Sequence, residues 1–169
     1  MATTEFFKCF GVEQRQDKIV RLSTNNYLLI FGYGQEDGQG YNMRKYYDHE
    51  PTKSELKKDI DGLINASTDR VILDGFKWNG KQVWLSTENQ MNFKAAYDLA
   101  VQTNGATLPV KFKLGENEEG APVYHTFTAL SAFTDFYTKA VAHVVGCLNE
   151  GWQEKDGVDY DQLLTIESV

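Results

Sequence analysis

Apolar positions recur along this chain with two periods, every second residue and every third or fourth, and the changes between them mark the elements. The clearest change lies between residues 70 and 105. Val71-Ile72-Leu73 and Phe76-Lys77-Trp78 lead into Asn79-Gly80, a dipeptide that accepts the positive φ angles of a tight two-residue turn. A hairpin is expected there, with Trp78 facing Lys81 and Phe76 facing Val83 across the alternating run 81–85. Ser86 or Thr87 then caps a helix, Thr87-Glu88-Asn89-Gln90 reading as a capping box. Met91, Ala95, Ala96, Leu99 and Ala100 carry the helix to Asn104-Gly105, whose tolerance of left-handed backbone suits a stop.

On the N-terminal side, residues 18–22 read as a strand, 23–26 as a turn, and Tyr27-Leu28-Leu29-Ile30-Phe31 as a strand apolar on both faces. Four glycines between 32 and 40 predict a flexible loop, and residues 41–47 a returning strand. That loop is no phosphate cradle: it lacks a Gly-Lys-Ser/Thr ending and has an acidic centre. Thr52-Lys53-Ser54-Glu55 forms a capping box for a helix with Leu56, Ile60, Leu63 and Ile64 on one side, expected to close at 65–69.

Beyond Gly105, Leu108, Val110, Phe112 and Leu114 alternate with Lys111 and Lys113, the pattern of a strand buried on one face, and Pro109 marks its start or an edge. A polar loop at 115–120 and a strand at 122–127 complete a second hairpin. Thr128 can cap the longest helix, expected to run to about Asn149, with Leu130, Phe133, Tyr137, Ala140, Val141, Val144 and Leu148 at spacings of three and four. Packing on its own sheet is the first reading of that spacing and a helix-mediated dimer the second. Gly151 is expected to end the helix and Trp152 to fold back onto it. The fold class is α+β: antiparallel hairpins packed with two or three helices, the longest near the C-terminus. Its expected divisions are an N-terminal arm and β meander (1–51), a core domain (52–152) and an acidic tail (153–169).

Two apolar clusters fall outside the periodic elements: Phe6, Phe7 and Phe10 near the start, and Leu163, Leu164 and Ile166 near the end. The first is either tucked into its own domain or a docking arm bound to a neighbour, and the second is a further candidate arm. With Tyr137, Val141, Val144 and Leu148 of the long helix, Phe6, Phe7, Phe10, Leu163 and Leu164 make up the expected partner-binding set. The apolar share of 41% and charged share of 24% are those of an ordered globular chain, and the aromatic share of 13%, with ten Phe and nine Tyr, suits a bulky core or a sticky interface. A net charge of −7 without a basic patch argues against nucleic acid as a partner. Residues 1–10 lack a basic stretch and a long apolar run, so no signal peptide is expected, and no stretch reaches the length of a membrane span.

Catalytic patterns are sparse. His49 lies between Asp48 and Glu50, His125 on a strand beside Tyr124 and Thr126, and His143 on the long helix beside Val144. Each reads as a packing or surface residue before a ligand. Asp156-Gly157-Val158-Asp159-Tyr160-Asp161 lacks the alternating acids and closing Glu of a calcium loop. Cys9 and Cys147 form no framework, Cys147 lies in an apolar helical run, and no serine has a nucleophile-elbow setting. The expectation is a protein without catalytic residues, metal or cofactor.

Ile72-Leu73-Asp74-Gly75-Phe76-Lys77-Trp78-Asn79-Gly80, Trp84-Leu85-Ser86-Thr87-Glu88-Asn89-Gln90 and Asn92-Phe93-Lys94 carry a resemblance. From Thr52 to Trp152 the chain resembles a phage-associated domain of unknown function, found in or beside tail and fibre proteins of phages of gut Bacteroidales, crAss-like phages among them. The resemblance implies a virion component, a head- or tail-fibre subunit or fibre-attachment protein, assembled in the bacterial cytoplasm on other virion proteins. It implies no enzymatic residues. A chaperone of fibre assembly that leaves the particle is the second expectation.

Overall fold

The computed structural model describes residues 5–169. In chain order the elements are β1 (Phe7–Phe10), β2 (Lys18–Ser23), β3 (Asn26–Glu36), β4 (Gln39–Tyr47), α1 (Lys53–Asp74), β5 (Phe76–Trp78), β6 (Lys81–Val83), α2 (Thr87–Gln102), β7 (Val110–Glu116), β8 (Pro122–Phe127), α3 (Leu130–Asp156), α4 (Tyr160–Leu163) and β9 (Glu167–Ser168). The protein is α+β, built from antiparallel hairpins and helices with the longest helix near the C-terminus. The chain divides into two units, Met1–Leu63 with Lys155–Val169, and Ile64–Glu154.

The first unit is organised on a five-stranded sheet in the order β1-β4-β3-β2-β9. Tyr27 through Phe31 are all buried, as a run apolar on both faces requires. Val20, Leu28 and Ile30 cluster together, and the alternate residues Ile19, Leu29, Phe31 and Tyr47 are buried as well. Leu56 and Ile60 of α1 are fully buried, and Lys45 Nζ and Tyr47 Oη both donate to Asp59 Oδ2 at 2.6 Å. The Thr52 capping box is formed reciprocally: the Thr52 N–H donates to Glu55 Oε2 at 2.8 Å, and the Glu55 N–H donates to Thr52 Oγ1 at 3.2 Å.

Residues 32–40 are not the flexible loop expected. β3 and β4 continue to Glu36 opposite Gln39, turning on Asp37 and Gly38 at φ 50° and 76°, the signs a two-residue hairpin turn demands. Gly32, at φ 71°, lies where the register shifts between Phe31 and Gly34. Glycine density therefore marks a bulge and a turn here, not mobility.

The ends of the described chain are incorporated into this sheet. β1 pairs with β4, Phe7 opposite Arg44 and Phe10 opposite Tyr41. The C-terminal segment forms α4, capped by Asp159, whose Oδ1 accepts from the Gln162 N–H at 3.0 Å, and then β9, parallel to β2. Residues 1–4 of the expected N-terminal arm lie outside the described residues.

The second unit joins two hairpins and three helical segments around an aromatic core. β5 and β6 pair through the Asn79-Gly80 turn with Phe76 opposite Val83 and Trp78 opposite Lys81, the expected register. β7 pairs with β8 in a separate two-stranded sheet, and a backbone bond from the Trp84 N–H to Leu114 O at 2.7 Å sets the two hairpins side by side as a loose β5–β8 meander. Trp78, Phe93, Phe127, Phe133 and Phe136 are buried, with Phe127 and Phe133 stacked at 4.5 Å between centroids and Phe93 edge-on to Phe136 at 5.0 Å.

Helix bounds differ from expectation at three places. α1 does not close at 65–69 but runs to Asp74, replacing the strand expected at 71–73: Ile64 and Ile72 continue the buried stripe of Leu56 and Ile60, and no proline interrupts it. It stops at Gly75, whose N–H donates to Val71 O at 2.8 Å. The N-cap of α2 is Ser86, accepting from the Asn89 N–H at 3.2 Å, while the Gln90 side chain donates to Leu85 O; the box on Thr87 is not formed. α3 passes through Gly151 to Asp156. Gly151 is buried because a Cβ there would lie 2.6 Å from Thr68 Oγ1, so it serves a close approach of two helices rather than a stop. Trp152 does not fold back and is 54% exposed.

Candidate functional site

The titratable groups are held in structural pairings. The His49 ring donates from Nδ1 to Asp48 Oδ1 at 2.7 Å and from Nε2 to Glu55 Oε1 at 2.9 Å, and the Asp48 and then the Glu55 bonds raise its pKa above the ordinary 6.5. Glu55 is lowered to about 2, first by the backbone and hydroxyl of Thr52 and then by His49. This cluster is the exposed N-terminal cap of α1. Tyr47 is kept protonated far above its ordinary range by burial and by its bond to Asp59. His125 sits 3.2 Å from Lys81 Nζ and packs edge-on against Trp78, and burial followed by the Lys81 charge lowers its pKa.

Sequence reading missed one pair, His143 and Cys147, four residues apart on α3. Cys147 Sγ lies 3.6 Å from His143 Nε2, which also bonds Val71 O at 3.0 Å. Burial, and then the charge of Glu150, raise the thiol pKa. An activated nucleophile requires the opposite shift, and an imidazole nitrogen donating to a carbonyl is no base for the thiol. Among the described residues no group of three or more His, Cys, Asp or Glu is placed to hold a metal ion.

What the second unit does present is an apolar surface. A groove of about 310 Å³ runs between α2 and α3, lined on the α3 side by Tyr137, Val141, Val144 and Val145 and on the α2 side by Met91 with Thr87, Gln90 and Lys94. Met91 is 66% exposed, Val141 43% and Val145 49%. Trp152, two turns beyond Val145 on the same stripe, extends the apolar surface of α3. Large apolar side chains are thus left in solvent along one helix stripe.

The expected partner-binding residues separate on this test. Val141 is exposed in the groove, while Tyr137 and Val144 line it half-buried, Tyr137 stacked on Tyr97 at 4.6 Å. Leu148 packs against the unit's own core. Phe7 is half-buried and stacked on Tyr46 at 5.6 Å, Phe6 is half-buried near Lys45, and Phe10 is 45% exposed beside Tyr41. Leu163 is 1% exposed and Leu164 half-buried, so the C-terminal cluster belongs to the interior of the first unit. Met91, Val145 and Trp152 were not singled out from sequence. For Val145 and Trp152 the signal was there in the i, i+4, i+11 spacing with Val141.

Fold and surface together define an α+β protein with an apolar helix face and no assembled catalytic constellation among the described residues. Residues 55–168 match the family model described as Domain of unknown function (DUF4376). The match covers well over half of the chain, and the chain belongs to that family. No curated protein and no solved structure matches it.

Proposed function

We propose that this chain is a structural or adaptor subunit of a bacteriophage particle, a head- or tail-fibre subunit or fibre-attachment protein, and not an enzyme. The observation that carries the adaptor reading is the solvent-facing stripe of Val141, Val145 and Trp152 beside the α2–α3 groove. The phage setting is supported by the resemblance of residues 52–152 to phage tail- and fibre-associated sequences. In this reading α3 pairs two copies about a twofold axis, where an apolar stripe meets itself and the groove lined by Val141 and Val145 is buried in the pair. The raised Cys147 thiol and the structural engagement of all three histidines support a role without chemistry.

Mass spectrometry of purified particles tests the proposal, with the protein expected at a fixed copy number relative to the fibre. Val145→Asp, exposed in the free chain, is expected to remove it from particles while the isolated protein keeps its melting temperature. A chain absent from wild-type particles, yet recovered in complex with unassembled fibre protein, supports the alternative, an assembly chaperone. Absence from both overturns the virion role.

A further inference from the structure

The meander of the second unit has a second face, turned away from the aromatic core, and its charge is segregated. Lys77, Lys111 and Lys113 lie on its strands, whereas Glu116, the last residue of β7, is the sole acid on β5–β8, with Glu118 and Glu119 following in the β7–β8 turn. In a chain of net charge −7 this is a local reversal of sign. Strand alternation sets Lys77, Trp84, Lys111, Lys113 and Tyr124 on the outward side, since Trp78, Val83, Leu114 and Phe127 point into the core. Lys113 is opposite Tyr124 across the β7–β8 pair.

Cations and rings are interleaved on this face. Lys111 Nζ lies 4.5 Å from the centroid of Tyr124 and Lys113 Nζ 5.7 Å from that of Trp84. The ammonium groups are thus held over the rings, and the sheet presents charge beside the exposed edge of Tyr124. Among the described residues neither Lys77 nor Lys111 has a carboxylate partner, and Lys113 has only the exposed Glu116 at 3.0 Å, a contact that a competing carboxylate displaces readily.

We propose that this outward face of the β5–β8 meander is a docking surface for an acidic polypeptide segment of a partner protein, bound in extended conformation. Lys111 and Lys113 stand two residues apart on one strand, a pitch of roughly 7 Å, which equals the spacing of alternate side chains on an extended peptide. Carboxylates at every second position of that peptide meet successive ammonium groups. Lysine occupies one face each of Tyr124 and Trp84, and the face has no arginine to grip phosphate in two-point fashion. This surface is separate in sequence and in lining residues from the α2–α3 groove, and the inference does not depend on the groove's occupant.

Fluorescence anisotropy with a labelled poly-L-glutamate peptide tests it on the full chain, with heparin and an oligo-deoxythymidine as comparison probes. Binding of the glutamate peptide is expected, weakening as sodium chloride is raised. In the double variant Lys111→Gln, Lys113→Gln it should weaken by roughly tenfold. Both side chains are exposed, and an unchanged near-ultraviolet circular dichroism spectrum shows that the variant is folded. No binding of the glutamate peptide, equal binding by the double variant, or tighter binding of heparin or the oligonucleotide than of the peptide overturns the proposal.

Discussion

The two units use their apolar residues in opposite ways. In the first, side chains at the ends of the chain, which look spare in sequence, are built into the sheet: β1 forms one edge, β9 the other, and Leu163 is as buried as Leu29. In the second, α3 looks fully committed to a core, yet it leaves Val141, Val145 and Trp152 in solvent. Apolar residues outside periodic elements are therefore a poor guide to exposed apolar surface in this protein, and a helix with apolar side chains on more than one face is the better one. A helix packed on one side has a stripe to bury; α3 has that stripe, in Phe133, Phe136, Ala140 and Cys147, and further apolar residues beside it.

The contrast is broken most severely by substitutions that treat the two surfaces alike. Leu163→Ala removes a side chain that is 1% exposed and should cost about 2–5 kcal/mol in urea unfolding. Val145→Ala, at 49% exposure, should stay within about 0.5 kcal/mol of wild type. Equal effects would mean that the C-terminal segment is a loose arm after all. Gly151→Val comes next. Its side chain would be forced against Thr68, and a loss of roughly 1–3 kcal/mol is expected, where a glycine serving only as a helix stop would be replaced at little cost. Thr52→Ala follows at about 1 kcal/mol, the usual worth of an N-cap, because it deprives the Glu55 N–H of its acceptor.

The smallest effect is one of pH. His49 has its pKa raised by Asp48 and then Glu55, so its stabilising contribution is present below the ordinary histidine value of 6.5 and is lost as pH rises through the raised value. Glu55 has its pKa lowered to about 2, so its contribution is present above 4.5 and is lost as pH falls toward 2. Both ionised forms coexist fully between about pH 4.5 and 6.5, where the α1 cap is tightest. Monitored by nuclear magnetic resonance, the His49 ring should titrate above free histidine in wild type and return toward the ordinary value in Glu55→Gln. Titration at the ordinary value in wild type would show that the cluster is not formed.

Much of the fold was legible. Asn79-Gly80 named its turn and register, the Thr52 box named a helix start, and the alternation through Val110, Phe112 and Leu114 named a one-sided strand. What was not legible depended on partners distant in sequence. Gly151 reads as a stop until Thr68 is seen against it, and the glycines of 32–40 read as a loop until β3 and β4 are seen to pair through them. The burial of Leu163 likewise needs the rest of the first unit, since a short apolar patch in an acidic tail has no period of its own. Of the exposed apolar residues on α2 and α3, Val141 was foreseen while Val145, Trp152 and Met91 were not, because exposure is decided by which neighbours the rest of the unit supplies.

The central claim is that the outward stripe of α3 is where this chain associates. Sedimentation equilibrium of the wild-type protein and of Val145→Asp, over a range of concentrations, tests it most directly. A wild-type mass of two chains that falls to one in Val145→Asp, with melting temperature unchanged, is the result the account predicts. A wild-type protein that stays monomeric throughout, or a variant that keeps the wild-type mass, would contradict it.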